Sequence, residues 1–420
     1  MSKPLSILII VIALLSSCRG NQKIATHDDC DTVALKYATH ISIVKHHDYS
    51  VVKLADPWNT GKTLHTYVLV PADKELPAHL PDGAIVRTPL KRAVVATSVH
   101  CSLVIDMGKG TSIGGICEPQ YIHIPYIKEQ LKKGGIADCG SGMAPTVEKI
   151  IDLQADAIFL SPFQNSGGYG KVEELKIPII ETADYMETSA LGRAEWMRFY
   201  GMLFGCEEKA DSMFDEVEKG YMELKKLAQS STDKRSIMMD KQTGAVWYVP
   251  GGQSTLGRIF ADAGIDYPWK DDDHSGSLAL PFESVLEKAE HADIWLFRYN
   301  SPHEFTLKEL LSDNEGYKQF KAFADKEVYG CNTATSTFYE ETPFHPHLLL
   351  RDFICIAYPK LSLGEPKYFK KLHEQVFTIR RRDGTHHRST LRTESYRWRS
   401  TYPRGTGSTY PVPALGGYSS

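Results

Sequence analysis

The sequence predicts an α/β protein of two Rossmann-like lobes, each with a central mostly parallel sheet, joined by one long rigid helix. Three observations carry that prediction. Short apolar runs alternate with amphipathic helices on both sides of residue 207. Between the two alternating regions, Glu207 to Gln229 reads as one helix, about 35 Å long at 1.5 Å per residue. The length of 420 residues exceeds one typical core, which makes two domains the default.

In that helix Ala210, Met213, Phe214, Val217, Tyr221, Leu224 and Leu227 recur at three- and four-residue steps and form one apolar face. Glu207 and Glu208 in the first turn and Lys225 and Lys226 in the last suit the helix dipole. Gly205 stops the preceding helix. Gly220 lies inside the helix, costs about 1 kcal/mol relative to Ala, and marks a bend or a close packing contact.

The N-terminus reads as a lipoprotein signal over 1–17. Lys3 supplies a positive charge, and Ile7 to Leu15 form an apolar run too short for a stable membrane span. Leu15, Ser16, Ser17 and Cys18 then match a lipobox, in which the Cys18 thiol takes a diacylglycerol. Residues 18–40 read as a polar tether. The other seven cysteines are scattered without a CxxC pair, so neither a zinc ribbon nor a redox motif is indicated.

The N-terminal lobe is expected over 41–206. It opens with two runs between 41 and 70 that read as a β-hairpin, followed by a Pro-rich connection from Pro71 to Pro89. RAVVATS, SIGGIC, DAIFLS and IPIIE then read as buried strands. The helices between them fall near 101–108, 124–133, 145–153 and 172–175, and one more runs from Ser189 to Gly205. The second lobe, 230–376, repeats the pattern. RSIMMD, AVWYV, DIWLFRY and EVYGC are its strands, with helices after Gly251 and Pro281, at 306–312 and 315–324, and from Pro346 to Tyr358. A further helical turn is expected at Tyr368 to His373. The lobes echo each other: a Pro, a short helix beginning with Glu148 or Glu283, an Ala-Asp turn and a buried strand occur in both.

After Phe377 the composition switches to eight Arg, no Lys and two acidic residues, which puts the tail near +6 and the rest near −10. Residues 377–420 hold too few large aliphatic side chains for a core and read as a disordered or out-of-frame extension. The overall charge of −4 makes no case for nucleic acid.

No GxxxxGK[ST], Rossmann GxGxxG, HExxH or complete nucleophile elbow is present, so no enzyme class is supported and no metal site is assigned. In open α/β sheets ligands bind beyond the carboxyl ends of the strands. The candidates there are Ser98 and His100, then Phe163, Gln164 and Asn165, then Trp247 and Tyr248, Arg298 and Tyr299, and Phe338 and Tyr339. Of these, His100, Gln164, Trp247, Tyr248, Arg298 and Tyr339 are the chosen ligand residues. The aromatics would stack on a flat ligand, and Arg298 would pair with a carboxylate or phosphate on it.

A lipobox, a hairpin, PTVEKIIDLQADAIFLS, GCEEKADSMFDEVEK, GGQSTLGRIFADAG and PFESVLEKAEHADIWL occur in that order. Together they resemble the iron-siderophore, haem and cobalamin class of ABC-transporter substrate-binding proteins over roughly residues 41–371. The resemblance implies two lobes on a rigid helix, a ligand in the cleft between them, no cofactor and no catalysis. It also implies a monomer lipid-anchored in the periplasm that delivers its ligand to a permease dimer driven by a cytoplasmic ATPase. Glu148 and Glu283 would dock on that permease. The competing readings are a zinc or manganese receptor of the same design, which would be expected to show a His-rich loop that this chain lacks, and a secreted two-lobe hydrolase.

Overall fold

The computed structural model of the protein describes residues 30–164 and 168–374. The lipobox Cys18, the candidate Asn165 and the tail from 377 lie outside the described residues.

The first lobe holds two sheets. Its parallel sheet has five strands in the order Ile179–Glu181, Ala157–Leu160, Ala93–Val95, Ile113–Ile116, Ala137–Asp138. The central strands are buried on both faces, which is why they read as continuous apolar runs. Beside it lies a second five-stranded sheet, Asp31–Thr32, Ile41–Lys45, Ser50–Ala55, Thr63–Pro71 and Ala84–Thr88, antiparallel except for its last pair. The expected hairpin is therefore larger. The run from Ile41 to Leu54 folds back on itself at His46–Tyr49, where the backbone amide of His46 donates to the Tyr49 carbonyl at 2.8 Å. The Pro-rich connection contributes the parallel edge strand Ala84–Thr88. Tyr67 joins the two sheets: its hydroxyl donates to the Ile179 carbonyl at 3.0 Å and accepts from the Glu181 amide at 2.7 Å.

Residues 31–40, expected to be tether, are packed onto this lobe. The Glu195 carboxylate accepts backbone N–H bonds from Lys36, Tyr37 and Ala38 at 2.8–2.9 Å. Glu187 does the same for Thr39 and His40. Two buried carboxylates thereby satisfy five amides that would otherwise need water or a sheet partner.

The linking helix spans Glu207–Gln229 and buries Ala210, Met213, Phe214, Val217, Tyr221 and Ala228. Gly205 ends the preceding helix at φ +61°, a left-handed cap that a side chain disfavours. The two halves of the linking helix face different lobes. Its first half packs on helix Met197–Phe204 of the first lobe; its second half packs on helix Pro346–Ala357 of the second. At the first crossing a Cβ added to Gly201 would lie 2.5 Å from the Ala210 Cβ, so this approach requires glycine. At the second, a Cβ on Gly220 would meet the His347 ring at 3.5 Å, an ordinary contact. The packing at Gly220 therefore does not require glycine.

The second lobe has a sheet in the order Ile237–Met239, Ile294–Tyr299, Val328–Asn332, Lys370–Lys371, the first three parallel and the last antiparallel. Lys370–Lys371 is thus an edge strand where a helical turn was expected. AVWYV forms its own three-stranded antiparallel sheet, Gln242–Thr243, Val246–Pro250 and Ser277–Leu280. The core of this lobe is an aromatic cluster of Trp247, Trp295, Tyr317 and Phe320, with ring centroids 4.9–6.4 Å apart.

Candidate functional site

The strands of both parallel sheets end in loops along one edge, and those edges define the cleft. Among the described residues of the first lobe the loops are 96–97, 117–124, 139–146, 161–164 with 168–169, and 182–189. In the second they follow Met239, Tyr299 and Asn332.

The floor is set where the lobes touch. Helix Phe338–Glu341 packs against helix Ser98–Asp106. Phe344 places its ring edge-on to both His100 and Tyr200, with centroids 5.8 and 5.9 Å apart. His345 Nε2 lies 3.2 Å from Asp106 Oδ2 across the same seam. Beside it, a cavity lined by residues of both lobes, among them Arg193, Leu256 and Leu349, holds only about 10 Å³, too little for a roomy ligand site.

His100 belongs to this floor. It is buried, with Nε2 2.8 Å from Asp184 Oδ1 and Nδ1 2.5 Å from the Thr97 hydroxyl. Asp184 also accepts from the Tyr200 hydroxyl and from Arg193 Nε, each at 2.8 Å. Burial pushes the Asp184 carboxyl up, but the charges of His100 and Arg193 and the hydrogen bonds from His100 and Tyr200 outweigh it and hold it at about 2. The hydroxyl–imidazole–carboxylate series resembles a hydrolytic relay. Its carboxylate, however, is shared three ways and Phe344 covers its imidazole, so it locks the floor together.

The other sequence-derived residues divide. Gln164 and Phe163 stand exposed on the loop after Ala157–Leu160, as expected. Trp247 is 0 % exposed and donates its indole N–H to the Met239 carbonyl at 3.0 Å; strand alternation turns it into the aromatic core. Its neighbour Tyr248 points the other way and is 52 % exposed on the three-stranded sheet. Arg298 does reach the cleft edge, but Asp240 on the adjacent strand end grips it with both carboxylate oxygens. Tyr299 is buried against Phe305 and Glu304. Tyr339 is half-buried on the short helix that forms the seam, and Phe338 is buried beneath it. Ser98 opens helix Ser98–Asp106 behind the Thr97 cap.

Two rim residues were missed. Tyr121, 52 % exposed, and Met143, 67 % exposed, lie on the loops after Ile113–Ile116 and Ala137–Asp138. With Phe163, 42 % exposed, they place three large apolar side chains on three different loops of one edge. The signal was available: each is an apolar residue set among Gly, Pro or polar neighbours just past a strand.

Glu148 and Glu283 are both exposed, and each is the second residue of its helix, Val147–Leu153 or Phe282–Ala289. Each helix leads into a parallel strand, so its N-terminus lies at the carboxyl edge of the sheet, on the cleft side of its lobe.

The model of the periplasmic binding protein family matches residues 123–335. The chain is 24 % identical over 397 residues to an uncharacterized lipoprotein of Methanocaldococcus jannaschii, covering 86 % of this chain and 93 % of that one. Among solved structures it is similar to a possible iron-binding (periplasmic solute-binding) protein from Staphylococcus epidermidis. There the TM-score is 0.52 at 15 % identity, over 64 % of this chain and all of that one. It is also similar to a periplasmic haem-binding protein from Roseiflexus sp. in apo form, with a TM-score of 0.50 at 16 % identity, over 64 % and 98 % of the two chains. The matched half of the chain carries the three parallel strands of the second lobe's sheet, the linking helix and most of the cleft loops, and the chain belongs to the periplasmic binding protein family.

Proposed function

We propose that this protein is the lipid-anchored receptor of an ABC importer. It captures an iron complex (a siderophore or haem) or a corrinoid in the cleft between its lobes and delivers it to a permease dimer. The observation that carries this reading is the rim of Tyr121, Met143 and Phe163, three exposed apolar side chains from three separate loops at the cleft edge of the first lobe. Large apolar side chains exposed on three loops of one sheet edge suit the face of a large ligand better than a bare ion. Of the similar folds, the Staphylococcus protein is a possible iron-binding protein and the Roseiflexus protein a haem-binding one.

Exposed carboxylates in corresponding places of the two lobes, Glu148 and Glu283, support docking on basic groups of a two-fold symmetric partner. The linking helix packs on both lobes and resists a wide hinge motion.

Calorimetric titration of the full chain with ferric siderophores, haem and a corrinoid tests the ligand class. Phe163→Ala with Tyr121→Ala is expected to weaken the bound member by about 10-fold or more while leaving the melting temperature unchanged. Unaltered affinity in that double variant would remove the rim from the site. Glu148→Ala with Glu283→Ala is expected to keep affinity and abolish uptake in cells. A fall in affinity would show that these carboxylates serve the ligand instead.

A further inference from the structure

We infer that the cleft is built for a ligand of little or no net charge, one with an apolar face and several amide or hydroxyl groups. This rests on the receptor reading above and narrows it.

The inference comes from the charge on the two walls. The described loops of the first lobe's edge, 96–97, 117–124, 139–146, 161–164 with 168–169, and 182–189, contain no Lys and no Arg. Their acids are Glu118, Asp184 and Glu187, of which Asp184 and Glu187 are consumed inside the lobe. At the edge of the second lobe stand two permanent cations, and each is neutralised by its own lobe. Arg298 lies in the grip of Asp240, and Lys241 Nζ is 2.7 Å from Asp313 Oδ2. The loop imidazole of His303 is bound likewise to Glu309 at 2.7 Å.

Apart from the Glu118 carboxylate, what the loops present is neutral. Beyond the apolar rim, Gln120, Gln164, Asn300 and Thr335 are exposed hydrogen-bonding side chains without charge. An anionic ligand entering this cleft would lose hydration and meet no uncompensated cation on the described loops. An uncharged ligand loses far less, and its amides and hydroxyls find partners among these groups. The Arg298–Asp240 pair then serves as a neutral, pre-ordered hydrogen-bonding plate at the strand ends.

Four probes test this by titration calorimetry of the full chain: cyanocobalamin and a neutral ferric trihydroxamate, against haem with its two propionates and a trianionic ferric tris-catecholate. At least one uncharged probe is expected to bind, and its affinity should change by less than about 3-fold between about 0.05 and 0.5 M salt. The anionic probes are expected to bind at least about 100-fold more weakly. Asp240→Asn exposes the Arg298 charge at a backbone position, φ +62°, that Asn also adopts. This variant should strengthen the anionic probes by about 10-fold and leave the uncharged one within about 2-fold. If an anionic probe binds tightest, or if uncharged binding collapses with salt, the inference is overturned while the receptor reading stands. If none of the four binds, the iron-complex and corrinoid reading falls, and this inference with it.

Discussion

The two lobes of this chain share a plan and differ in what fills them. The second lobe is held by aromatic bulk: Trp247, Trp295, Tyr317 and Phe320 interlock, and the two indole N–H groups donate to the Met239 and Asp240 carbonyls. The first lobe has aromatics of its own, but at its centre it buries charge. Asp184, Arg193, His100, Glu187 and Glu195 are all nearly inaccessible and mutually or backbone-bonded. The difference teaches where geometry matters. Apolar packing tolerates small adjustments, whereas a carboxylate shared by three donors fixes the elements that bring them. Those elements are the loop carrying Asp184, the helix starting at Ser98, the helix carrying Arg193 and the helix carrying Tyr200, and His100 and Tyr200 meet under Phe344 of the other lobe. The first lobe is therefore the rigid side of the cleft floor.

The largest effect that would break this comparison is at Asp184. Replacing it with Ala leaves Arg193 buried without its counter-charge and His100 without its hydrogen-bond partner, and is expected to cost about 3–5 kcal/mol in denaturant unfolding. Trp247→Ala should cost a similar amount by opening a cavity, about 3–5 kcal/mol, but without any change in acid sensitivity. If Asp184→Ala costs under about 1 kcal/mol, charge does not hold the first lobe.

Acid unfolding separates the same two regions. The Asp184 carboxyl sits at about 2 when folded against an ordinary 3.8, so its contribution is present above pH 3.8 and is lost as pH falls toward 2. At the contact between the second lobe and the linking helix, burial, with His345 and Lys367 nearby, depresses the His347 imidazole from 6.5 to about 4. The folded state there favours neutral His347, so stability is full above pH 6.5 and declines as pH falls from 6.5 toward 4. Melting curves from pH 7 to 2 should show both windows. Asp184→Asn should flatten only the lower one and His347→Gln only the upper one.

The helix crossings give the smaller tests. Gly201→Ala forces a Cβ to within 2.5 Å of Ala210 and should destabilise by about 1–3 kcal/mol. Gly220→Ala has ordinary room against His347 and should stabilise by about 0.5–1 kcal/mol. Equal effects at the two glycines would mean that the linking helix grips both lobes alike.

Much of the architecture was legible in the sequence. Period-3.6 patterning located Glu207–Gln229 to the residue, because a two-sided crossing needs one unbroken apolar stripe. The apolar runs of both parallel sheets were legible because strands buried on both faces leave no alternation to misread. Glu148 and Glu283 could be paired by their place ahead of a buried strand, since helix–turn–strand order is local.

What only the tertiary structure decided was which side chains face the cleft and which are already spoken for. Trp247 and Tyr248 are neighbours, and register with Leu280 and Ala279 sends one inward and the other out. Arg298 looked like a hand held out to an anion until Asp240, 58 residues away, was found holding it. His100 depended on Asp184 and Tyr200, 84 and 100 residues on, and the carboxylates of Glu187 and Glu195 turned a polar leader into a docked segment. Burial and pairing are properties of distant contacts, and a chain read locally carries the period of its own elements without naming the partners that each side chain meets.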